Sequence, residues 1–179
     1  MTSVTFTIRF RTPFHVGTGL AVPGLDRIVD REALLPPASL KGLMRAQAEH
    51  RLRLGTVVGD VFGTARTPSP WAWNDVEFSG PRISRQARIR VQPGSRGTVK
   101  PGGLFLAEQV TTDSATFVVE LKSPVENVET HLLVLRASAR AVTALGGSRR
   151  RGMGWVSITA GEWTDEDTAR LMSLKEVPA

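Results

Sequence analysis

An α+β fold of the ferredoxin-like kind is predicted by the order strand, helix, strands, helix, strand. Three observations carry it: strict alternation over residues 3–11, a helical apolar period behind Pro36 and Pro37, and a longer one over residues 127–145. The chain has 179 residues, 41% of them hydrophobic, which suits a single domain over 1–179 able to bury a core. No internal repeat or linker divides it.

In SVTFTIRFR, Val4, Phe6, Ile8 and Phe10 alternate with Thr5, Thr7, Arg9 and Arg11, the period of a half-buried strand. From Pro13 a Gly-rich loop runs to about residue 35, long enough to suggest function. Ser39 is the expected N-cap of the first helix and Gly55 its stop, with Leu40, Leu43, Met44, Ala48 and Leu52 facing the core. Residues 56–103 are the least regular, with a short strand expected in WAWNDVEF. Arg88 and Arg90 alternate with Ile89 and Val91 before a Gly/Pro turn, predicting a basic hairpin over about 82–111 that projects for want of its own core. Thr116–Leu121 reads as the next strand. Residues 127–145 read as a helix with Val128, Leu132, Leu135, Ala139, Val142 and Leu145 on one face and Gly146 at its end. GGSRRRGMG then leads into a last strand and an acidic tail over about 161–179.

Charge narrows the function. Lys and Arg total 23 against 17 acids, a net charge of +6, and 19 of the 23 are arginine. Residues 79–110 hold six basic groups and one acid, Glu108, while residues 136–151 hold five arginines and no acid. Two concentrated basic segments point to a polyanion, most simply nucleic acid, over scattered solubility charge. Aromatics are 6% with no tyrosine, which argues against a base-stacking platform. The absence of cysteine excludes disulfides, cysteine–zinc sites and a thiol nucleophile. No apolar run reaches membrane-span length and no signal-peptide core is present, so a cytoplasmic protein with no membrane partner is expected.

The candidate residues are few. In GGSRRRGMG, glycines permit close backbone approach, and Arg149, Arg150 and Arg151 between Gly147, Ser148 and Gly152 could clamp a sugar-phosphate backbone; the bland alternative is a Gly-rich turn. It is neither a Walker A loop nor a dinucleotide fingerprint. Lys41 and Arg45 share a face near a helix N-terminus, equally readable as a phosphate site or a solvated face. His15, His50 and His131 lack metal-ligand spacing; His15 is a weak candidate for a general base toward an RNA 2′-OH. Asp26, Asp30 and Glu32 stand in the long loop, where an aspartate could hold hydrated Mg²⁺ or orient a 2′-OH, or be a surface acid.

The strings FHVGTG, LLPPASLKGLMR, DVFG, GGLFLAEQV and LGGSRRRGMGWV, in that order over about residues 5–157, resemble the RAMP superfamily of CRISPR proteins. The likeness is greatest to the repeated backbone subunit of type III (Csm/Cmr-type) effector complexes. That resemblance implies a modified ferredoxin-like, RRM-like core with the basic hairpin as a projecting "thumb". It implies guide crRNA phosphates on Lys41, Arg45 and the Gly147–Gly152 loop, with Arg88, Arg90 and Arg96 on the thumb between guide and complementary target RNA. It implies copies stacked head to tail beside other type III subunits. It places Asp26, with Asp30 as fallback, where cleaving members carry the aspartate that cuts target RNA with Mg²⁺ or Mn²⁺, the metal held weakly and through water. A non-catalytic scaffold is the alternative, since some relatives bind guide RNA and cleave nothing. A guide-processing nuclease built on histidine is disfavoured, because that relative carries two such folds in one chain.

Overall fold

The computed structural model describes residues 2–19, 21–91 and 99–175, with the side chains of residues 90, 91 and 99–102 excepted. Strand β1 (Ser3–Phe10) buries Phe6 and Ile8 as its alternation requires. Helix α1 (Pro37–Ala46) continues into a π-helical turn over Gln47–Arg51, and a short helix α2 (Val57–Phe62) follows. Strands β2 (Trp71–Trp73) and β3 (Glu77–Phe78) precede a hairpin of β4 (Arg82–Val91) and β5 (Val99–Thr111). Then come β6 (Ser114–Leu121), helix α3 (Val128–Ala141), a 3₁₀ turn at Arg149–Arg151, β7 (Val156–Thr159) and helix α4 (Asp165–Ser173).

The main sheet runs β2-β6-β1-β7, with β3 also pairing β6, and every pairing is antiparallel. Hence β2 runs parallel to β1 with β6 between them, and β7 parallel to β6 with β1 between them. The helices cover one face, where Phe6 stacks on Phe117 at 4.9 Å and Leu40, Met44, Leu135 and Ile158 fill the core. The opposite face carries exposed Thr5, Arg9 and Thr159.

Four expectations need correction. Ser39 is not the N-cap of α1: that position is Pro36, with no side-chain cap, because Pro37 opens the helix with φ already fixed and no N–H to satisfy. Helix α3 ends at Ala141, short of residue 145. Ala144 instead bridges Trp155, and the Leu145 N–H donates to the Gly154 carbonyl, so pairing with the segment before β7 draws the chain off the helix. Its buried face is also wider than predicted, taking in His131, Leu133, Val134, Ala137 and Ser138. Finally, the acidic tail contains α4, held by a reciprocal cap between Thr164 and Asp167 and tied to α3 by Arg136–Asp167 at 3.0 Å.

Candidate nucleic-acid interface

Antiparallel pairing from Arg82–Thr111 to Ile89–Leu104 joins β4 and β5 as a two-stranded sheet apart from the main one. Its outer residues Ile89 and Leu104 are both 59% exposed, while its base is bound to the body. Phe14 exchanges backbone bonds with Val110, and the Glu108 N–H donates to the Arg27 carbonyl. These bonds lay the long loop along β5.

Glu108, the lone acid of its basic stretch, is the centre of that junction. Its side chain is nearly inaccessible, accepts from both Arg31 Nη atoms at 2.7 and 3.2 Å, and takes the Val29 N–H at 3.1 Å. The Arg31 hydrogen bond holds the Glu108 carboxyl below the usual glutamate range, against the opposing effect of burial. A depressed carboxylate contributes stability that is whole above the ordinary glutamate pKa and is lost as pH falls below it through the lower, folded-state value. Glu108→Gln is therefore expected to cost about 1–3 kcal/mol at pH 7. It should also flatten the acid limb of a urea-unfolding series below about pH 4.5; an acid limb as steep as wild type would remove Glu108 from that role.

An open groove of about 450 Å³ lies beside this junction, lined by His15, Val16, Gly17, Gly19, Asp26, Arg27, Ile28, Gly146 and Gly147. Asp26 is exposed there and bonded both ways to β5: its N–H donates to the Leu106 carbonyl, and its Oδ2 accepts the Leu106 N–H, each at 2.8 Å. Asp30 is differently used. Its Oδ1 accepts the N–H groups of Glu32 and Ala33, closing a local turn, and it lines none of the groove.

His15 is buried, its Nδ1 2.7 Å from the Glu108 carbonyl oxygen. A carbonyl only accepts, so Nδ1 carries the hydrogen and Nε2 is the basic nitrogen. Burial holds its pKa below the ordinary value, helped by Arg27 and Arg88. The Gly-rich loop packs directly on this residue: the Gly147 N–H donates to the His15 carbonyl at 2.7 Å, and a Cβ on Gly146 (φ +73°) would lie 2.4 Å from the same oxygen.

The two basic segments meet here. Arg88 crosses from β4 to donate to Ser148 Oγ at 3.0 Å and also reaches Met153 Sδ. Arg149, Arg150 and Arg151 are exposed, and among the described residues their guanidinium groups have no partner. Gly147 lines the groove, while Gly152 closes the 3₁₀ turn with φ +79°. Sequence reasoning missed Arg27, which lines the groove 5.4 Å from the Phe105 ring, and the Arg31–Glu108 pair, which the isolation of Glu108 in its segment signals.

Lys41 and Arg45 lie outside the groove. The Lys41 ammonium sits 5.3 Å from the Trp73 ring centroid, its pKa lowered by burial and then by Arg45. Arg45 Nε donates to Glu49 at 2.8 Å, an (i, i+4) pair of the kind worth about 0.3–0.5 kcal/mol, readily exchanged for a phosphate. Arg90 belongs to β4, though its side chain is not described, and Arg96 lies outside the described residues.

No group of three or more His, Cys, Asp or Glu side chains that could hold a metal ion occurs among the described residues. No helix among them is long and apolar enough to cross a membrane.

Comparison by sequence with curated proteins gives no match. Comparison by structure does. A chain of a type III-B Cmr-beta complex bound to cognate target RNA, seen by cryo-EM, superposes with a TM-score of 0.70 at 16% identity, over 89% of this chain and 97% of that one. A chain of the apo type III-B Cmr-beta complex superposes with 0.69, at the same identity and coverage. These likenesses establish a mixed α/β fold with antiparallel sheets. The RAMP superfamily pattern spans residues 7–157, from β1 through the Gly-rich loop into β7, and so takes in every element that builds the groove. With that span matched, the chain belongs to the RAMP superfamily.

Proposed function

We propose that this chain is a guide-RNA-binding backbone subunit of a type III CRISPR effector complex, cleaving bound target RNA beside Asp26. The observation that carries the reading is that Arg88 is bonded to Ser148 of the arginine loop, whose Gly147 lines the same groove as Asp26, while Arg149–Arg151 are exposed and without a partner among the described residues. Arginines free of acidic partners keep their full capacity for phosphate oxygens, which position a strand without reading its bases. The sheet order, with β6 inside one β-α-β unit and β1 inside the other, supports a ferredoxin-like core, and the hairpin β4–β5 takes the part of a thumb. Lys41 and Arg45 extend the phosphate track along α1. Copies stacked head to tail, with other type III subunits, would line a guide longer than one chain can hold.

Asp26 offers one oxygen not engaged by Leu106, and among the described residues no other acid lines the groove, which suits weak contact with a largely hydrated Mg²⁺ or Mn²⁺. When bound, that ion would neutralise phosphate charge as a 2′-oxygen, its proton passing to solvent, bonds to the adjacent phosphorus and the 5′-oxygen of the next nucleotide leaves. The chain's own part is to hold Asp26 in place through both Leu106 bonds and to fix the strand with arginines.

Binding is tested with a labelled guide RNA across a salt series. Arg149→Ala/Arg150→Ala/Arg151→Ala is expected to flatten the slope of log affinity against log salt by about 2, at roughly 0.7 per lost phosphate contact on a single strand. An unchanged slope would take the loop off the RNA. A non-catalytic scaffold would keep this binding and lack cleavage.

A further inference from the structure

Of the four tryptophans, three have ring partners: Trp71 with His131, Trp73 with Phe62 and Lys41, Trp163 with Arg136 and Arg140. Trp155 is the exception. It is 51% exposed, and among the described residues its ring has neither an aromatic nor a cationic partner. Its backbone is nonetheless firmly held, the N–H donating to Thr12 Oγ1 at 2.9 Å and the carbonyl accepting from Arg11 at 2.8 Å.

Alternation along β7 assigns Trp155 a face. Val156 and Ile158 are buried under the helices, so Trp155, Ser157 and Thr159 belong to the opposite, open face. Register places Arg9 opposite Ser157, and the backbone bond from Arg11 to the Trp155 carbonyl pairs those two residues next along the strands. Arg9 and Arg11 are exposed, with no side-chain partner among the described residues, and Arg149–Arg151 end four residues before Trp155. A free indole, with exposed Arg9 on the neighbouring strand, exposed Arg11 just past its end and exposed Arg149–Arg151 just upstream in the chain, fits an unpaired nucleobase with phosphates on either side.

We infer that Trp155 stacks on an unpaired base of bound single-stranded RNA, with Arg9 and Arg11 carrying the adjoining phosphates across the open sheet face. This deepens the RNA-binding reading and rests on it. Low aromatic content argues against a broad stacking platform, but one base needs only one ring. A paired base is already stacked within its helix, so duplex RNA should not engage the indole.

The test uses the full chain, intrinsic tryptophan fluorescence and a uridine 15-mer. Quenching by the 15-mer is expected in wild type, is strongly reduced in Trp155→Phe, and is absent with duplex RNA. Trp155→Ala should weaken binding by about tenfold. Trp155→Phe should weaken it less, and both variants should melt as wild type does because the ring is outside the core. Wild-type affinity in Trp155→Ala, with quenching retained, would overturn the stacking while leaving RNA binding by the arginine loop intact. Quenching that depends on protein concentration without RNA would instead put a second copy on the indole and overturn it too. Failure of wild type to bind the 15-mer or guide RNA would remove the underlying reading as well.

Discussion

Asp26→Asn is expected to lower target-RNA cleavage by on the order of 100-fold or more while leaving guide binding within about twofold, the range typical of losing a group that acts on a proton or charge in the transition state. Asparagine is the more telling replacement because its side-chain oxygen can still accept the Leu106 N–H that Asp26 Oδ2 accepts. The loop then stays on β5, and the change is one of charge. Asp26→Ala removes the hook as well, so a larger binding defect in Ala than in Asn would measure the positioning contribution. The assay is metal-dependent cleavage of complementary RNA by the chain assembled with guide RNA and cognate subunits. Wild-type cleavage by Asp26→Asn would take the charge out of the chemistry. Cleavage that survives chelation would turn attention to His15, whose basic Nε2 belongs to the same groove residue set.

The second large effect concerns the fold around the arginine loop. Gly154 has φ +68°, and a Cβ there would lie 1.9 Å from the Leu145 carbonyl oxygen. Its N–H donates to Pro13 and its carbonyl accepts from Leu145, so no shift relieves the clash without stretching one of those bonds. Gly154→Ala should cost about 3 kcal/mol or more, combining left-handed strain of 1–2 kcal/mol with weakened hydrogen bonds. In a chain of this size that lowers Tm by roughly 6–12 °C. Gly152→Ala is the matched control: it shares a positive φ but meets nothing within 4 Å, so it should lose only the strain. Equal Tm shifts in the two variants would show that the carbonyl contact is not what decides the position.

What the sequence made legible was whatever repeats with a local period. The alternation of Phe6, Ile8 and Phe10 placed β1, and Leu40, Met44 and Ala48 placed the buried side of α1 and the π-helical turn that continues it. Helix α2 was missed because VVGDVF is a single short element with a glycine inside it, too brief for a period to register. Helix α4 was legible in principle, since Thr164 and Asp167 stand three apart at its start, but its run of acids read as a solvated tail. The end of α3 was set by pairing with residues 154 and 155, which no local pattern encodes. The site divides in the same way. GGSRRRGMG announced itself by composition, whereas the bonds that assemble the groove join Asp26 to Leu106, His15 to Glu108 and Arg88 to Ser148, across 60 to 93 residues. The exposed indole of Trp155 was hidden because composition counts tryptophans and says nothing of which one lacks a neighbour.

The paired bonds between Asp26 and Leu106 also make the aspartate a passenger of the hairpin. A loop carboxylate would ordinarily wander with its loop, but this one is clipped to the strand that rises into the hairpin, with Glu108 riveting the next turn of loop to the same strand two residues on. Tilting β5 therefore swings the carboxylate with it, as the short arm of a lever whose long arm is the hairpin. In a row of such chains, any RNA strand leaning on a hairpin would meet that same chain's aspartate at a fixed offset. The row would act as a ruler, graduated by the thickness of one subunit and indifferent to the letters of the strand it measures.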